Sequence, residues 1–210
     1  MSSSKIERLR ASGPRSKPET PDLDRHWHLA QNDHQIALTE LEYSLIRTVE
    51  AFNRWQSECL AAASGKALSG GDNVVLHVIR MNDRPKSVTE IARLTNRDDI
   101  SNVQYTIRKL LKAGLVEKIA SHRRRRGTSY RVTAKGRDVT DRYARLRVEL
   151  LCKLTGTIKD VETYLENGSR VLDLMSGIYD QAARVAATHR PPVDDEAETK
   201  PHGDSGSADP

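Results

Sequence analysis

The sequence is poor in aromatic residues, with one Phe, two Trp and six Tyr among 210 residues. This scarcity argues against a large β-sandwich or barrel. The chain has no apolar run of about eighteen residues and its first residues are polar, so we expect neither a membrane-spanning helix nor a secretory leader. The two cysteines, Cys59 and Cys152, lie far apart in the sequence, which is typical of a protein of the reducing cytoplasm.

The charge of the chain is concentrated in one segment. Apolar residues make up 37% of the sequence, which is enough for a modest core and one or two domains. Between Arg84 and Arg137 there are fifteen Lys and Arg residues and four Asp and Glu residues, a net charge of +11. The whole chain has a net charge of +5, so the residues outside this segment sum to −6. A positive field on one module is what binding to a phosphate backbone requires.

Three consecutive segments in this basic region have the order of a helix-turn-helix. They are a short helix at 87–95, a polar turn at 96–99 and a second helix at 100–112. Asp98 or Asp99 is expected to cap the second helix by accepting a backbone N–H, and Gly114 is expected to end it in the left-handed region. The first helix shows apolar residues three apart, at Val88, Ile91 and Leu94.

The second helix has two different faces. Its apolar positions predict a buried side formed by Val103, Ile107, Leu110 and Leu111. The opposite side carries polar groups that are able to bond to base edges or phosphates, Lys109 among them. The candidate DNA-binding residues of this face are Ser101, Asn102, Gln104, Tyr105 and Arg108.

Two alternating segments after the second helix predict a β-hairpin, with strands at 115–119 and 128–133. The tip between them is strongly basic and includes Arg123, Arg124, Arg125 and Arg126. Four consecutive arginines repel one another unless a polyanion is bound, so these four residues complete the candidate DNA-binding set. The sequence therefore predicts a mainly α fold, a winged helix-turn-helix with a small antiparallel β-hairpin wing.

These motifs resemble the MarR family of bacterial regulators. The shared pattern is Gly114-Leu115-Val116 after Ile107-x-x-Leu110, then a basic wing, then Val132-Thr133-Ala134-Lys135-Gly136-Arg137. The detailed match runs over about 73–145. The sequence departs from the family at the start of the wing, where an Asp that orients an Arg is usual and Ser121-His122 stands instead.

A long amphipathic helix is predicted from Asp33 to Ala63, with Leu38, Leu45, Phe52 and Cys59 at seven-residue intervals. The resemblance makes it the first helix, spanning a dimerisation layer and a DNA-binding layer. A short helix at 73–82, capped by Asp72 or Ser69, would form with it the wall of a small-molecule pocket. The candidate ligand-binding residues that the resemblance implies are Phe52, Trp55, His77 and Met81. Cys59 is interpreted as a packed core thiol, with redox sensing as the alternative.

The remaining helices are expected to mediate assembly. Apolar spacing predicts a helix at 134–154 and, after a break at Asn167-Gly168-Ser169, a last helix to about Ala187 capped by Ser169. Because these helices have no core of their own, the simplest way to bury their apolar faces is against the first helix and against a second copy of the chain. The predicted organisation is listed from the N-terminus: a disordered tail at 1–25, a dimerisation helix at 33–65, the winged domain at 69–133, dimerisation helices at 134–188, and a disordered acidic tail at 191–210.

The histidines near the N-terminus do not form a convincing metal site. His26, His28 and His34 lie near Asp22, Asp24 and Asp33, but without the spacing that metal ligands require. Trp27 is interpreted instead as an anchor for a partner surface. We expect no metal and no cofactor.

Catalysis finds no assembled site, because the sequence lacks a phosphate-binding Gly loop, a metalloprotease His pair and a recognised nucleophile context. Three hypotheses remain. The first, which the resemblance favours, is a homodimeric transcription regulator that binds a pseudo-palindromic site on double-stranded DNA and is modulated by a small aromatic effector. The others are a ligand-independent architectural DNA-binding protein and a winged-helix protein-interaction module.

Overall fold

The computed structural model describes residues 28–119 and 128–191, and this part of the chain divides after Glu149 into two compact units. The first unit contains, in order, α1 (Asp33–Ser64), α2 (Gly70–Arg80), a 3-10 turn (Met81–Asp83), β1 (Lys86–Ser87), α3 (Val88–Leu94), α4 (Ile100–Lys112), β2 (Val116–Ile119), β3 (Ser129–Val132) and α5 (Ala134–Leu146). A π-helical turn (Arg147–Cys152) crosses the boundary. The second unit holds α6 (Lys153–Thr155) and α7 (Val161–Ala187).

The first helix is long, and apart from Thr39 its buried residues lie near its C-terminal end. Asn32 caps its start by accepting the backbone N–H of Gln35 at 3.0 Å, and Gly65 ends it with a φ of 66°. Near this end Gln56, Cys59, Leu60 and Ala63 are buried, whereas Phe52 is 52% exposed. The predicted seven-residue stripe is therefore only partly covered by the rest of this unit.

The core of the first unit is built where helices α1 to α5 meet the small sheet. Burying these apolar side chains is the main source of its stability. The core residues are Cys59, Leu60, Ala63, Val75, Leu76, Ile79, Ile91, Ala92, Val103, Ile107, Leu110, Ala113, Leu115, Val116, Tyr130, Val132, Val139 and Tyr143. The mainly α winged fold predicted from the sequence is confirmed.

The sheet has three strands in the order β1-β3-β2, all antiparallel, rather than the two of the predicted hairpin. Val116 pairs with Val132 across the wing, and Lys86 pairs with Tyr130 on the other edge. The additional strand is only two residues long, so it has no alternating pattern from which it could have been predicted. Strand β1 directly precedes α3, so its pairing with β3 connects the start of the helix-turn-helix with the base of the wing.

The start of α2 differs from the prediction. The helix begins at Gly70, three residues before the predicted start, because Gly70 and Gly71 are helical rather than part of the preceding turn. Ser69 is the capping residue, and it forms a capping box with Asp72: the Ser69 hydroxyl accepts the Asp72 N–H at 3.2 Å and the Asp72 carboxylate accepts the Ser69 N–H at 2.8 Å.

The two predictions about the last helices have different outcomes. Helical structure covers the predicted range 134–154, but as three elements: α5 to Leu146, the π-helical turn at Arg147–Cys152 and α6 at Lys153–Thr155. The break predicted at Asn167-Gly168-Ser169 does not occur, since α7 runs without interruption from Val161 to Ala187 and Ser169 caps nothing. A glycine inside a helix costs only about 1 kcal/mol, which a helix of 27 residues tolerates.

Candidate nucleic-acid interface

Helix α4 is fixed at both ends by the residues that the sequence indicated. The Asp99 carboxylate accepts the backbone N–H of Asn102 at 3.0 Å and caps the first turn, so Asp99 and not Asp98 is the cap. Gly114 follows the helix with a φ of 73°, a left-handed conformation that glycine adopts without strain. The helix therefore has the bounds 100–112 that its pattern predicted.

The two faces of α4 are separated as predicted. Val103, Thr106, Ile107 and Leu110 are buried, and Leu111 is half-buried. The opposite face is exposed, with the Tyr105 side chain 57% accessible. The exposed residues of this face are the five candidates Ser101, Asn102, Gln104, Tyr105 and Arg108. The structure thus gathers them on one accessible surface, which we call the recognition face.

Lys109 differs from these five residues. Its ammonium forms an ion pair with the carboxylate of Asp72 on α2, and its side chain is 33% exposed. The Asp72 side chain is only 2% exposed. The lysine also lies 5.9 Å from the centre of the Tyr105 ring, within the range of a cation–π interaction. Sequence reasoning named Asp72 only as a candidate helix cap and missed its pair with Lys109, because 37 residues separate the two.

The junction between the wing and α5 explains the Thr-x-x-Gly pattern in physical terms. The Thr133 hydroxyl accepts the N–H of Gly136 at 3.0 Å, which caps α5, and donates to the carbonyl of Gly114 at 2.8 Å. A Cβ at position 136 would collide with the carbonyl oxygen of Leu115. Glycine is therefore required where α5 begins against the segment that follows α4.

The described part of the wing is a regular antiparallel ladder between β2 and β3. An ion pair of 2.6 Å between Arg131 and Glu117 connects the two strands. The four arginines predicted to contact DNA, Arg123, Arg124, Arg125 and Arg126, lie outside the described residues, which end at Ile119 and resume at Thr128. Their role stays a prediction.

A polar cleft lies beside the recognition face, between the start of α3 and the base of the wing. Its lining includes Arg84, Ser87, Gln104 and Ser129. Arg84 forms an ion pair with Glu90, and the hydrogen bond from this guanidinium lowers the pKa of the Glu90 carboxyl. The Ser87 hydroxyl accepts the N–H of Glu90 at 3.2 Å and caps α3. Gln104 is the recognition-face residue that reaches this cleft.

Lys86 in β1 is a fully buried lysine that the sequence did not single out. Its ammonium donates to the carbonyl of Ile79 at 3.3 Å, to that of Arg84 at 3.3 Å, and to that of Met81. Burial lowers the pKa of Lys86, and the nearby charge of Arg84 acts in the same direction. A cation at the C-terminus of α2 stabilises the helix dipole and holds β1 in place.

The candidate ligand-binding residues divide into two pairs. Trp55 and His77 are half-buried, and the His77 ring lies 4.7 Å from that of Tyr143. Phe52 and Met81 are 52% and 41% exposed, so they are not part of this buried cluster. Sequence reasoning missed Tyr143 as a member, although its apolar spacing predicted that it would face inward.

Several polar groups of this cluster are buried. Burial raises the pKa of the Tyr143 hydroxyl, while side-chain hydrogen bonds with Asn73 and Trp55 act in the opposite direction. Burial, and then the charge of Arg80, lowers the pKa of His77. Among the described residues, Oδ1 of Asn73 and Nε2 of His77 have no hydrogen-bond partner although both atoms are buried. Buried polar atoms without partners are rare and call for an explanation.

Cys59 packs beside this cluster, with its sulfur 3.9 Å from the carbonyl oxygen of Tyr143. Burial raises the pKa of the Cys59 thiol, which disfavours the reactive thiolate. The structure therefore favours the interpretation as a core thiol.

Residues 28–119 and 128–191 contain no group of three or more His, Cys, Asp or Glu side chains that could hold a metal ion. His26 and Trp27 lie outside the described residues. In the same ranges no helix is long and apolar enough to cross a membrane.

Comparison with known proteins agrees with this geometry. Residues 68–136 match the family described as "Winged helix DNA-binding domain". No curated protein matches the sequence. One similar solved structure is Staphylococcus aureus MarR in complex with salicylate and kanamycin, which is 14% identical, with a TM-score of 0.57 over 70% of this chain and 95% of that one.

Two further solved structures have a similar fold. A MarR-family transcriptional regulator from Silicibacter pomeroyi is 20% identical, with a TM-score of 0.55 over 73% of this chain and 99% of that one. The Mycobacterium tuberculosis regulator MosR in complex with DNA is 16% identical, with a TM-score of 0.50 over 65% and 96%. The chain therefore contains a winged-helix DNA-binding domain with the fold of MarR-family transcriptional regulators, and the resemblance seen in its sequence is confirmed.

Proposed function

We propose that this chain, with the fold of MarR-family transcriptional regulators, is a dimeric, sequence-specific DNA-binding regulator that a small aromatic ligand modulates. The observation that carries the proposal is the recognition face, an exposed set of polar side chains on a helix whose other side is anchored in the core. A rigid helix with such a face is suited to the major groove, where base edges present distinct donor and acceptor patterns.

Each residue type on the recognition face suits a part of this task. Ser101 and Asn102 lie in the first turn of α4, the part of a recognition helix that reaches furthest into the groove. Asn pairs well with adenine and Arg with guanine, so Asn102 and Arg108 are the proposed base readers. The wing arginines are proposed to contact phosphates and the minor groove, which adds affinity that depends on salt.

The proposed homodimer is supported by apolar surface that each unit leaves exposed. On α7 the exposed apolar residues include Leu165, Leu172, Leu174, Ile178 and Val185, each between 48% and 64% accessible. On α1 they include Ile46, Val49 and Phe52, at 45% or more. Several large apolar side chains exposed on one helix often mark an interaction surface, and a second copy of the chain would cover them.

The proposed effector site is the buried cluster of Trp55, His77 and Tyr143. Two aromatic rings and the imidazole offer an apolar wall, and the unpaired atoms of Asn73 and His77 offer hydrogen-bonding partners. This combination suits a small aromatic molecule with a polar group. The site lies at the contact of α1, α2 and α5, so a ligand there would bias the position of the DNA-binding elements.

Selection from a random DNA pool tests the main proposal. The purified protein should enrich a pseudo-palindrome whose half-sites lie about one helical turn, roughly 10 bp, apart. Enrichment of a single half-site would contradict the dimer. Binding that depends on salt without enriching any sequence would support the architectural alternative instead.

Thermal unfolding with a panel of aromatic carboxylates and phenols tests the effector. We expect a ligand that raises the melting temperature and lowers affinity for the selected DNA, because it stabilises a form of the protein that binds DNA poorly. Trp55→Leu should abolish the thermal shift, whereas Met81→Leu, which alters an exposed residue outside the buried cluster, should keep it. A shift that persists in Trp55→Leu would contradict a site in the buried cluster.

A further inference from the structure

The contact between Asp72 and Lys109 connects the start of α2 to the recognition helix. The acid is fixed independently of the lysine, because Oδ2 of Asp72 accepts the backbone N–H of Ser69 at 2.8 Å within the capping box. Its position in the first turn of α2 also places its negative charge at the positive end of the helix dipole. The Asp72 carboxylate is thus a hydrogen-bond acceptor held in a fixed position, and its side chain is only 2% exposed to solvent.

The same carboxylate oxygen accepts a hydrogen bond from the ammonium of Lys109. The lysine side chain is therefore directed towards α2 and not towards the recognition face. Tyr105 lies one turn earlier on α4, and residues four apart lie on one face of a helix. Because the ammonium lies 5.9 Å from the ring centre, the lysine restricts the ring at the same time. The series Asp72, Lys109, Tyr105 therefore leads from a buried anchor to a side chain that is 57% exposed.

We propose that Asp72 is a positioning residue for DNA recognition, which acts through Lys109 on the orientation of Tyr105. The proposal rests on the proposed sequence-specific function and adds two effects to it. Asp72 holds Tyr105 in one orientation on the recognition face, which favours the correct base sequence. The carboxylate of Asp72 also compensates the positive charge of Lys109. Without this ion pair the lysine would bind any DNA phosphate and strengthen binding to every DNA sequence.

The variant Asp72→Asn separates these effects from a purely structural role. The asparagine keeps the size of the side chain and an acceptor for the Ser69 N–H, but it releases Lys109. We expect affinity for scrambled DNA to rise, the dependence of log affinity on log salt to steepen by about one unit, and the ratio of specific to scrambled affinity to fall about tenfold. Loss of structure alone would weaken binding to all DNA and would not steepen the salt dependence.

The double variant Asp72→Asn/Lys109→Met keeps the test decisive if the single variant does not fold, because it leaves no unpaired charge in the buried site. It should show the wild-type salt dependence but the same loss of specificity, since Tyr105 is no longer held. Lys112→Met removes an exposed lysine from the same helix and should leave the specificity ratio unchanged.

The measurements are binding titrations of each variant on the selected and the scrambled site over a range of salt, with melting temperatures beside them. If the wild-type protein prefers the selected site and both Asp72 variants keep the same ratio of specific to scrambled affinity, the inference is wrong and the proposed function stands. A wild-type protein that does not discriminate between the two sites would overturn the proposed function and the inference with it.

Discussion

Helices α4 and α7 are both amphipathic, yet they differ in what covers their apolar sides. In α4 the residues Val103, Ile107 and Leu110 are packed into the core of their own unit. In α7 only Val161, at its first position, is buried among 27 residues, and Ile178 is 48% exposed. Periodicity thus identifies an apolar face but does not say whether the same chain covers it.

The largest expected effect tests that difference directly, with the same substitution in each helix. Ile107→Asp should destabilise the first unit by about 4 kcal/mol or more, because it places an unpaired charge in the core. Ile178→Asp should leave the first unit folded but convert the proposed dimer to a monomer. Thermal unfolding and sedimentation velocity at micromolar concentration measure the two outcomes.

The two variants also define what would contradict the comparison. If Ile178→Asp sediments like the wild-type protein, the exposed face of α7 is not a dimer contact. Leu172→Asp, a second substitution on the same helix, should reproduce the dissociation. A wild-type protein that is monomeric at this concentration would remove the proposed dimer altogether.

The next effect concerns the exposed side of α4, where the comparison predicts loss of binding without loss of stability. Asn102→Ala or Arg108→Ala should weaken binding to the selected site by about 1–3 kcal/mol, because each change removes base contacts. The melting temperature should stay the same, since neither residue is buried. Arg170→Ala, an exposed arginine on α7, is the matched control and should bind like the wild-type protein. Unchanged affinity in both α4 variants would contradict the assigned recognition face.

The wing arginines are expected to have smaller individual effects. Replacing Arg123 by Ala should weaken binding to all DNA alike and reduce the salt dependence by about one unit, as for a phosphate contact. Replacing Arg125 by Ala should cost more on sites with A·T-rich flanks, because arginines in the minor groove read its width. If the variant lacking all four arginines, from Arg123 to Arg126, keeps its affinity and salt dependence, the tip does not contact DNA.

The features that sequence could predict are those set by neighbouring residues. The bounds of α4 follow from its apolar period, a preceding Asp and a following Gly, and Asp99 and Gly114 perform these roles in the structure. The capping role of Ser69 was one of two options, because Ser69 and Asp72 cap each other's backbone groups. Local chemistry was sufficient for these elements.

The features that sequence could not predict depend on distant residues or on weak local signals. The pairs Asp72–Lys109 and His77–Tyr143 join residues that only the packing of helices brings together. Strand β1 is too short to show a pattern. In α7, a Cβ at Gly168 would meet no neighbouring atom and the helix continues through this position, so the glycine alone did not end the helix.

The smallest expected effect is a pH dependence of the free energy of unfolding, which originates at His77 on α2. Burial and the charge of Arg80 lower its pKa from the ordinary value of 6.5. Above this value the ring is neutral in both the folded and the unfolded chain, so it does not affect stability. As the pH falls below 6.5, the unfolded chain takes up a proton that the folded chain does not, and unfolding becomes more favourable. At pH 5.5 the loss of stability is at most about 1.4 kcal/mol.

The melting temperature should therefore fall between pH 7.5 and 5.5 by more in the wild-type protein than in His77→Gln, which cannot titrate. His34→Gln, at an exposed position on α1, should behave like the wild-type protein. Parallel melting curves for the wild-type protein and His77→Gln over this range would show that the folded protein accommodates the charged ring, and that the buried cluster is more open to water than its packing indicates.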